Sequence, residues 1–196
     1  MNKLIILDRD GVINWDTSVK LGIDRITSPE EWEELPGSLE AIVRLKKAGF
    51  IVCVATNQSI IAKNIITVET LDAIHNKMQK KLQTRRVSID RIFVCPHQGT
   101  DNCLCRKPKP GMLLAAAKAY NIDYIEQQIP FVGDSDIDLL AAVAGGFLPV
   151  LVRTGKGLKT LEKISSLNIR KVLVFDDLSG FVDYWLSQPE SNQFII

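Results

Sequence analysis

Short runs of apolar residues alternate along this chain with longer stretches in which apolar positions recur every three or four residues. Leu4–Leu7 is apolar throughout and predicts a buried strand. In Gly37–Ala48 the residues Leu39, Ile42, Val43 and Leu45 fall near helical spacing, and Gly49 follows, so a helix is predicted there. Phe50–Ala55 predicts a second strand, and Thr67–Gln83 a long helix capped by Thr67. Ile92–Val94 predicts a third strand, and Pro110 opens a further helix at its first turn, where a missing N–H costs nothing. Ile129–Val132, Val150–Val152 and Val172–Phe175 predict three more strands. Helices are predicted over Ile137–Ala144 and from the last strand to about Leu186. Strand–helix alternation of this kind predicts an α/β fold: a Rossmann-like, doubly wound, largely parallel sheet with helices on both faces. No internal repeat or low-complexity linker interrupts the pattern. Residues 1–186 therefore read as one domain and 187–196 as a loose tail.

Composition narrows the class. The 196 residues are 46% hydrophobic and 24% charged, ordinary values for a globular domain with a full core. Lys+Arg 24 against Asp+Glu 23 leaves a formal charge of +1, which gives no electrostatic footprint for nucleic acid or an anionic membrane. The longest apolar stretch, Leu139–Val152, is broken by Gly145, Gly146 and Pro149 and is shorter than the ~20 residues a spanning helix needs. The apolar run before Asp8, Leu4–Leu7, has only four residues, fewer than the ~7–15 of a secretory signal. A cytoplasmic, reducing location and a monomer are the expectation. Cys53 lies in an apolar run and reads as a core thiol, while Cys95, Cys103 and Cys105 crowd into one short segment.

In a parallel sheet the ligand sits beyond the carboxyl ends of the strands. Asp8-Arg9-Asp10-Gly11 follows the first strand, Thr56-Asn57-Gln58-Ser59 the second and Gly133-Asp134-Ser135 the fourth. Taken singly, such acids are helix caps and turn formers. Together they bring three carboxylates and several small polar groups to one rim. Asp8 and Asp10, two residues apart, repel unless a cation intervenes, and with Asp134 they form a hard oxygen set suited to Mg²⁺. Such a metal would let one carboxylate attack phosphorus while the other protonates the leaving oxygen and later activates water. Thr56 and a lysine would hold the phosphoryl oxygens.

Cys95-Pro96-His97 and Cys103-Leu104-Cys105 supply three thiolates and an imidazole, a complete tetrahedral set for a structural zinc ion. This loop, 95–105, runs directly into Arg106-Lys107-Pro108-Lys109-Pro110-Gly111. Clamping it would fix Arg106 and Lys107 at the rim, where an Arg–Lys pair suits phosphate. His75, the only other histidine, lies inside the long predicted helix and is given no role. Asp176-Asp177 also follows an apolar run, but precedes a helix and reads as its cap.

Asp8-Arg9-Asp10-Gly11-Val12, Thr56-Asn57-Gln58, Lys107 and Gly133-Asp134-Ser135-Asp136-Ile137-Asp138 resemble the four ordered motifs of the haloacid dehalogenase superfamily of phosphatases. The resemblance implies that Asp8 is the nucleophile and Asp10 the general acid/base. It further implies that Thr56 and Lys107 stabilise the phosphoryl group. Asp134 and Asp8 would share Mg²⁺ with the backbone carbonyl of Asp10, and Asp138 would stand behind them. The intervals from Asp8 to Thr56 and from Thr56 to Lys107 are filled by the predicted elements, so no large cap domain fits.

Thr-Asn-Gln-Ser, the zinc loop and Arg106-Lys107-Pro108-Lys109-Pro110-Gly111-Met112-Leu113 further resemble the D,D-heptose 1,7-bisphosphate phosphatase group of ADP-heptose and lipopolysaccharide core synthesis. The sister group of histidinol-phosphatases usually has Asn-Gln-Asp-Gly where this chain has Asn57-Gln58-Ser59-Ile60. That implies a phosphorylated sugar as partner and hydrolysis at its 7-phosphate. Arg106, Asn57, Gln58, Ser59, Ser135 and the segment from Asp16 to Val19 are the candidate substrate contacts. Ile60 and Asn64 stand where the group usually has glycine. Two other classes stay open at this point, a phospho-accepting receiver-like signalling domain and a catalytically dead binding module. Receivers usually carry adjacent acids and no zinc loop, and the presence of all four motifs opposes a dead module.

Overall fold

The computed structural model describes residues 3–16, 25–123 and 128–189. Of the segment from Asp16 to Val19, residues 17–19 lie outside the described residues, as does the last part of the expected tail, from residue 190. Six strands form one sheet: β1 (Lys3–Leu7), β2 (Phe50–Asn57), β3 (Arg91–Cys95), β4 (Pro130–Gly133), β5 (Leu148–Val152) and β6 (Leu173–Phe175). Their order is β3-β2-β1-β4-β5-β6 and every pairing is parallel. The chain winds outward from β1 in one direction and, after crossing back to β4, outward in the other. A topological switch point therefore falls between β1 and β4.

Side-chain alternation along the strands sorts the core into two layers. Ile5 and Leu7 of β1 and Val52 and Val54 of β2 face one layer. It is covered by Leu39, Ile42 and Leu45 of α1 (Ser38–Lys47), by Leu71, Ile74, Met78 and Leu82 of α2 (Val68–Gln83), and by Phe181 and Trp185 of α6 (Leu178–Ser187). Leu4, Ile6, Cys53 and Ala55 face the other. There Met112, Leu113 and Ala116 of α3 (Gly111–Ala119) and Ala141 and Ala142 of α4 (Asp136–Gly145) complete it. Truncating one such core leucine or isoleucine to Ala costs about 2–5 kcal/mol, because a cavity replaces its contacts.

The elements differ from expectation mainly at their ends. Thr67 caps α2 as expected, its hydroxyl accepting from the Thr70 N–H at 3.2 Å. Helix α3 starts at Gly111, so Pro110 is its cap rather than its first helical residue. Strand β5 begins two residues earlier than the sequence suggests, at Leu148 and across Pro149. The proline is tolerated because β6 pairs only from Val150 onward, so no partner on that side needs its N–H. A short helix, α5 (Gly157–Glu162), was not anticipated: its two leucines are too few to show a period, and Leu158 is exposed. Asp177 caps α6 by accepting from the Gly180 N–H, as expected.

Candidate active site

Four strand ends converge at the switch point. The Asp8 N–H donates to the Val132 carbonyl at 2.8 Å, carrying the β1–β4 pairing one residue past the strand. The chain then turns, with Ile13 N–H donating to the Arg9 carbonyl and Gly11 at φ 82°. Gly11 and Gly155 (φ 56°) come from separate loops, and a Cβ on either would overlap the Asp134 carboxylate. Glycine is required at both for backbone conformation and for this close approach. Between them Asp134 Oδ2 accepts from the Lys156 N–H at 2.8 Å, while the Thr160 hydroxyl donates to the Asp134 carbonyl.

Lys107 joins the carboxylates. Its Nζ lies 2.9 Å from Asp8 Oδ1 and 2.7 Å from Asp138 Oδ1, almost wholly buried. Burial opposes its charge, but Asp138 and Asp8 outweigh that and raise its pKa above the usual lysine value. The Lys107 main chain is held by an amide brace. Asn57 Nδ2 donates to the Lys107 carbonyl and the Lys107 N–H donates to Asn57 Oδ1, both at 3.1 Å.

Carboxylate oxygens of Asp8, Asp134 and Asp138 all lie within 4.8 Å of one another. Burial, with the charges of Asp138 and Asp10, pushes Asp8 up to about 7 despite Lys107. Burial, Asp138 and Asp8 push Asp134 well above the ordinary carboxylate range. Three buried carboxylates sharing one lysine are short of positive charge, which is the electrostatic signature of a cation site. Asp138 is committed to Lys107 and to the N–H and hydroxyl of Ser135. Asp8 and Asp134 are thus left to meet a hard divalent cation such as Mg²⁺.

The Asp10 carboxylate faces elsewhere. Arg9 Nε and Nη2 donate to it at 3.0–3.2 Å, Asn14 Nδ2 at 2.9 Å and Gln58 Nε2 at 2.9 Å. Burial works against its charge, yet Arg9, Asn14 and Gln58 together hold its pKa below the usual value. Arg9 is buried, and its Nη1 meets His75 Nε2 at 3.1 Å. His75 is therefore built into the site from α2 rather than being a plain helix residue. Periodicity does not reveal this, because 75 falls on the same helical stripe as Leu71, Met78 and Leu82.

Cys95, His97, Cys103 and Cys105 form the second cluster. The three sulfurs lie 3.3–3.7 Å apart, and His97 Nδ1 lies 3.2 Å from the Cys105 Sγ and 3.7 Å from the Cys95 Sγ. A tetrahedral zinc with bonds of ~2.3 Å to sulfur has ligand–ligand edges of about 3.8 Å, so the four donors fit that ion. Arg106 Nη1 donates to the His97 carbonyl at 3.1 Å, tying the rim arginine to the clip.

Asp8, Asp10, Asp16, Thr56, Asn57, Gln58, Arg106, Lys107, Asp134 and Ser135 all line one cleft, as the sequence suggests. Several do other work than the substrate contact expected of them. Asn57 is engaged with the Lys107 backbone, Gln58 bridges Asp10 and the Thr56 hydroxyl, and Ser135 caps α4 against Asp138. Ser59 is buried outside the cleft wall. Ile60 points into the core, and Asn64 takes φ 54°, the left-handed conformation a glycine would supply. Neither lines the cleft. Arg25, Ile26, Ile137 and Lys156 also line it, and Lys156 Nζ pairs with Asp16 at 3.1 Å. Lys156 was legible: the strand-end rule applied to β5 leads directly to Thr154-Gly155-Lys156.

Two family models match the chain, polynucleotide kinase 3 phosphatase over residues 3–139 and HAD-hydrolase-like over residues 104–181. A D-glycero-β-D-manno-heptose-1,7-bisphosphate 7-phosphatase of Pseudomonas putida is 48% identical, with 91% of this chain and 96% of that protein covered. The protein of that name from Neisseria meningitidis serogroup A is 42% identical over 97% of this chain and 98% of that protein. Among solved structures, the D,D-heptose 1,7-bisphosphate phosphatase of Bordetella bronchiseptica, complexed with magnesium and phosphate, superposes with a TM-score of 0.88. It is 43% identical and covers 95% of this chain and 99% of that one.

Proposed function

Because the chain belongs to the haloacid dehalogenase-like phosphatases, in the family of the D-glycero-β-D-manno-heptose-1,7-bisphosphate 7-phosphatases, we propose that it hydrolyses the 7-phosphate of that sugar bisphosphate. The observation that carries this reading is the buried Asp8–Lys107 pair at the floor of a cleft edged by Arg25, Arg106 and Lys156. Sugar phosphate hydrolysis in ADP-heptose and lipopolysaccharide core synthesis is the accompanying role, in a cytoplasmic monomer.

Asp8 attacks phosphorus through a carboxylate oxygen. The phosphorus–oxygen bond to C7 breaks, and the leaving oxygen takes a proton from Asp10. Water then attacks the aspartyl-phosphate, gives its proton to Asp10 and regenerates Asp8 and inorganic phosphate. Arg9 keeps Asp10 ionised in the free site, which suits the second step. A phosphate dianion arriving beside it favours the protonated form needed for the first. Lys107 and the Thr56 hydroxyl hold the phosphoryl oxygens. Asp8 and Asp134, with the Asp10 carbonyl, are the residues that would hold Mg²⁺. That ion supplies charge neutralisation for the phosphoryl group and for Asp8. Cys95, His97, Cys103 and Cys105 would hold zinc as a closed structural site, leaving no position for water.

A receiver-like signalling role is disfavoured by Asp10. An acid two residues from the nucleophile, held on the cleft wall, is a base that discharges the phospho-enzyme. The test is a phosphate-release comparison of heptose 1,7-bisphosphate with histidinol phosphate. The cationic rim should favour a second phosphate and repel an amine, so kcat/KM should differ by about tenfold or more, equivalent to ~1.4 kcal/mol. Arg106→Ala should narrow the gap. Histidinol phosphate level or ahead would transfer the assignment to the sister group.

A further inference from the structure

We propose that His75 is a positioning residue for the reaction: its Nε2 accepts a hydrogen bond from Arg9 and fixes the guanidinium that orients Asp10. The proposal rests on the reading of Asp10 as the proton donor.

Arg9 stands between the two catalytic acids in sequence, yet its side chain is 1% exposed. A guanidinium has five N–H donors and no acceptor, so every contact it makes must be to an acceptor. Nε and Nη2 are directed at both oxygens of Asp10, and Nη1 meets His75 Nε2 at 3.1 Å. That fixes the tautomer. Nε2 presents its lone pair and the ring proton sits on Nδ1, with the imidazole neutral. Burial and the neighbouring Arg9 charge agree, holding the His75 pKa down to about 3. Without an acceptor at 75, a buried guanidinium N–H loses its partner and the fork is free to turn away from Asp10.

The arrangement resembles the orienting of a ligand by the group behind it. Besides Gln58, Asp10 is held by two lines of side chains that run into the interior. One passes through Asn14 to the Trp32 indole N–H, which donates to Asn14 Oδ1 at 3.1 Å. The other passes through Arg9 and ends at His75. Both tie the acid to side chains outside the cleft wall, His75 on α2 and Trp32 in the chain ahead of α1. Its aim is therefore set by core packing as well as by its own loop.

The test uses two leaving groups. Expelling the sugar alkoxide needs a proton, whereas p-nitrophenolate leaves without one. His75→Phe keeps an aromatic ring and removes the acceptor. It should lower kcat on heptose 1,7-bisphosphate by about 10–100-fold, the lower part of the range for general acid–base catalysis. KM, and the burst of p-nitrophenolate released in a single turnover of p-nitrophenyl phosphate, should stay within about threefold, because that burst precedes the water-activating step in which Asp10 also takes part. His75→Gln places an amide oxygen where Nε2 lies and should restore the sugar rate to within about threefold of wild type. Equal losses in the sugar rate and in the p-nitrophenolate burst, or none in either, would overturn the proposal. Should His75→Phe fail to fold, the ¹⁵N shifts of His75 in the intact protein decide: an unprotonated Nε2 supports the proposal and a protonated one sinks it. Asp10→Asn separates the two layers. If it shows the selective loss and His75→Phe does not, only the positioning role fails. If Asp10→Asn shows no selectivity, the proton-donor reading fails and takes the positioning role with it.

Discussion

Lowering the pH should expose the cost of keeping His75 neutral. The unfolded chain binds a proton at His75 near pH 6.5, while the folded protein resists until about pH 3. The sign follows from linkage. Above pH 6.5 neither state is protonated there and His75 contributes nothing. As pH falls below 6.5 the unfolded state gains a proton the native state refuses, so stability drops by ~1.4 kcal/mol per unit until the folded pKa is reached. At pH 5 the penalty is about 2 kcal/mol. His75→Gln cannot titrate and keeps the acceptor for Arg9. The assay is reversible urea denaturation of both proteins at pH 8 and pH 5. Acid loss of zinc and protonation of other groups act on both alike and cancel in the comparison. Wild type should lose about 2 kcal/mol more than the variant between the two pH values, and the urea midpoints should diverge accordingly. Identical losses would mean that His75 is protonated in the native state by pH 5. The Arg9–His75 hydrogen bond would then not exist in the form described.

Two further outcomes follow from the geometry. Cys103→Ser should reduce bound zinc from about one per chain, measured by metal analysis of protein never exposed to chelators, and should raise KM through the loosened Arg106 before kcat falls. Wild-type protein without zinc would refute the site. Gly155→Ala should cut phosphate release by at least about tenfold while Tm falls only a few degrees, because the added Cβ displaces the Asp134 carboxylate and the left-handed φ adds about 1–2 kcal/mol of strain. Near-normal turnover, with magnesium affinity unchanged in titration, would remove Asp134 from the metal set.

The fold class and most of the cleft were legible because the relevant signals are local. Continuous apolar runs mark strands buried on both faces, and acids or hydroxyls after them mark the rim. Element ends were less legible because they depend on neighbours: Pro149 sits inside β5 only because β6 begins pairing one residue later. Side-chain direction was least legible. Asn57 and Gln58 belong to the Thr56 segment and were read as substrate contacts, yet one braces Lys107 and the other Asp10. His75 was indistinguishable from a core position because helical periodicity reports burial, not what a buried imidazole touches. Ile60 and Asn64 stand where the resembled group usually has glycine, and residue type alone does not show how the fold accommodates them. One side chain fills the core, and the other adopts the left-handed backbone that asparagine tolerates.

The strand order has a bearing on how the chain is made. β1 lies at the centre of the sheet and is synthesised before the other five strands, but Ile6 pairs on one side with Phe131. At roughly 5–20 residues per second the ribosome needs about 6–25 s to deliver that partner. During this interval β2 and then β3 are added on one side while the other flank of β1 stays bare, and Asp8 lacks the Val132 carbonyl that anchors its N–H. The catalytic loop therefore matures late. A central strand waiting with an open edge is a natural client for a holding chaperone on the emerging polypeptide.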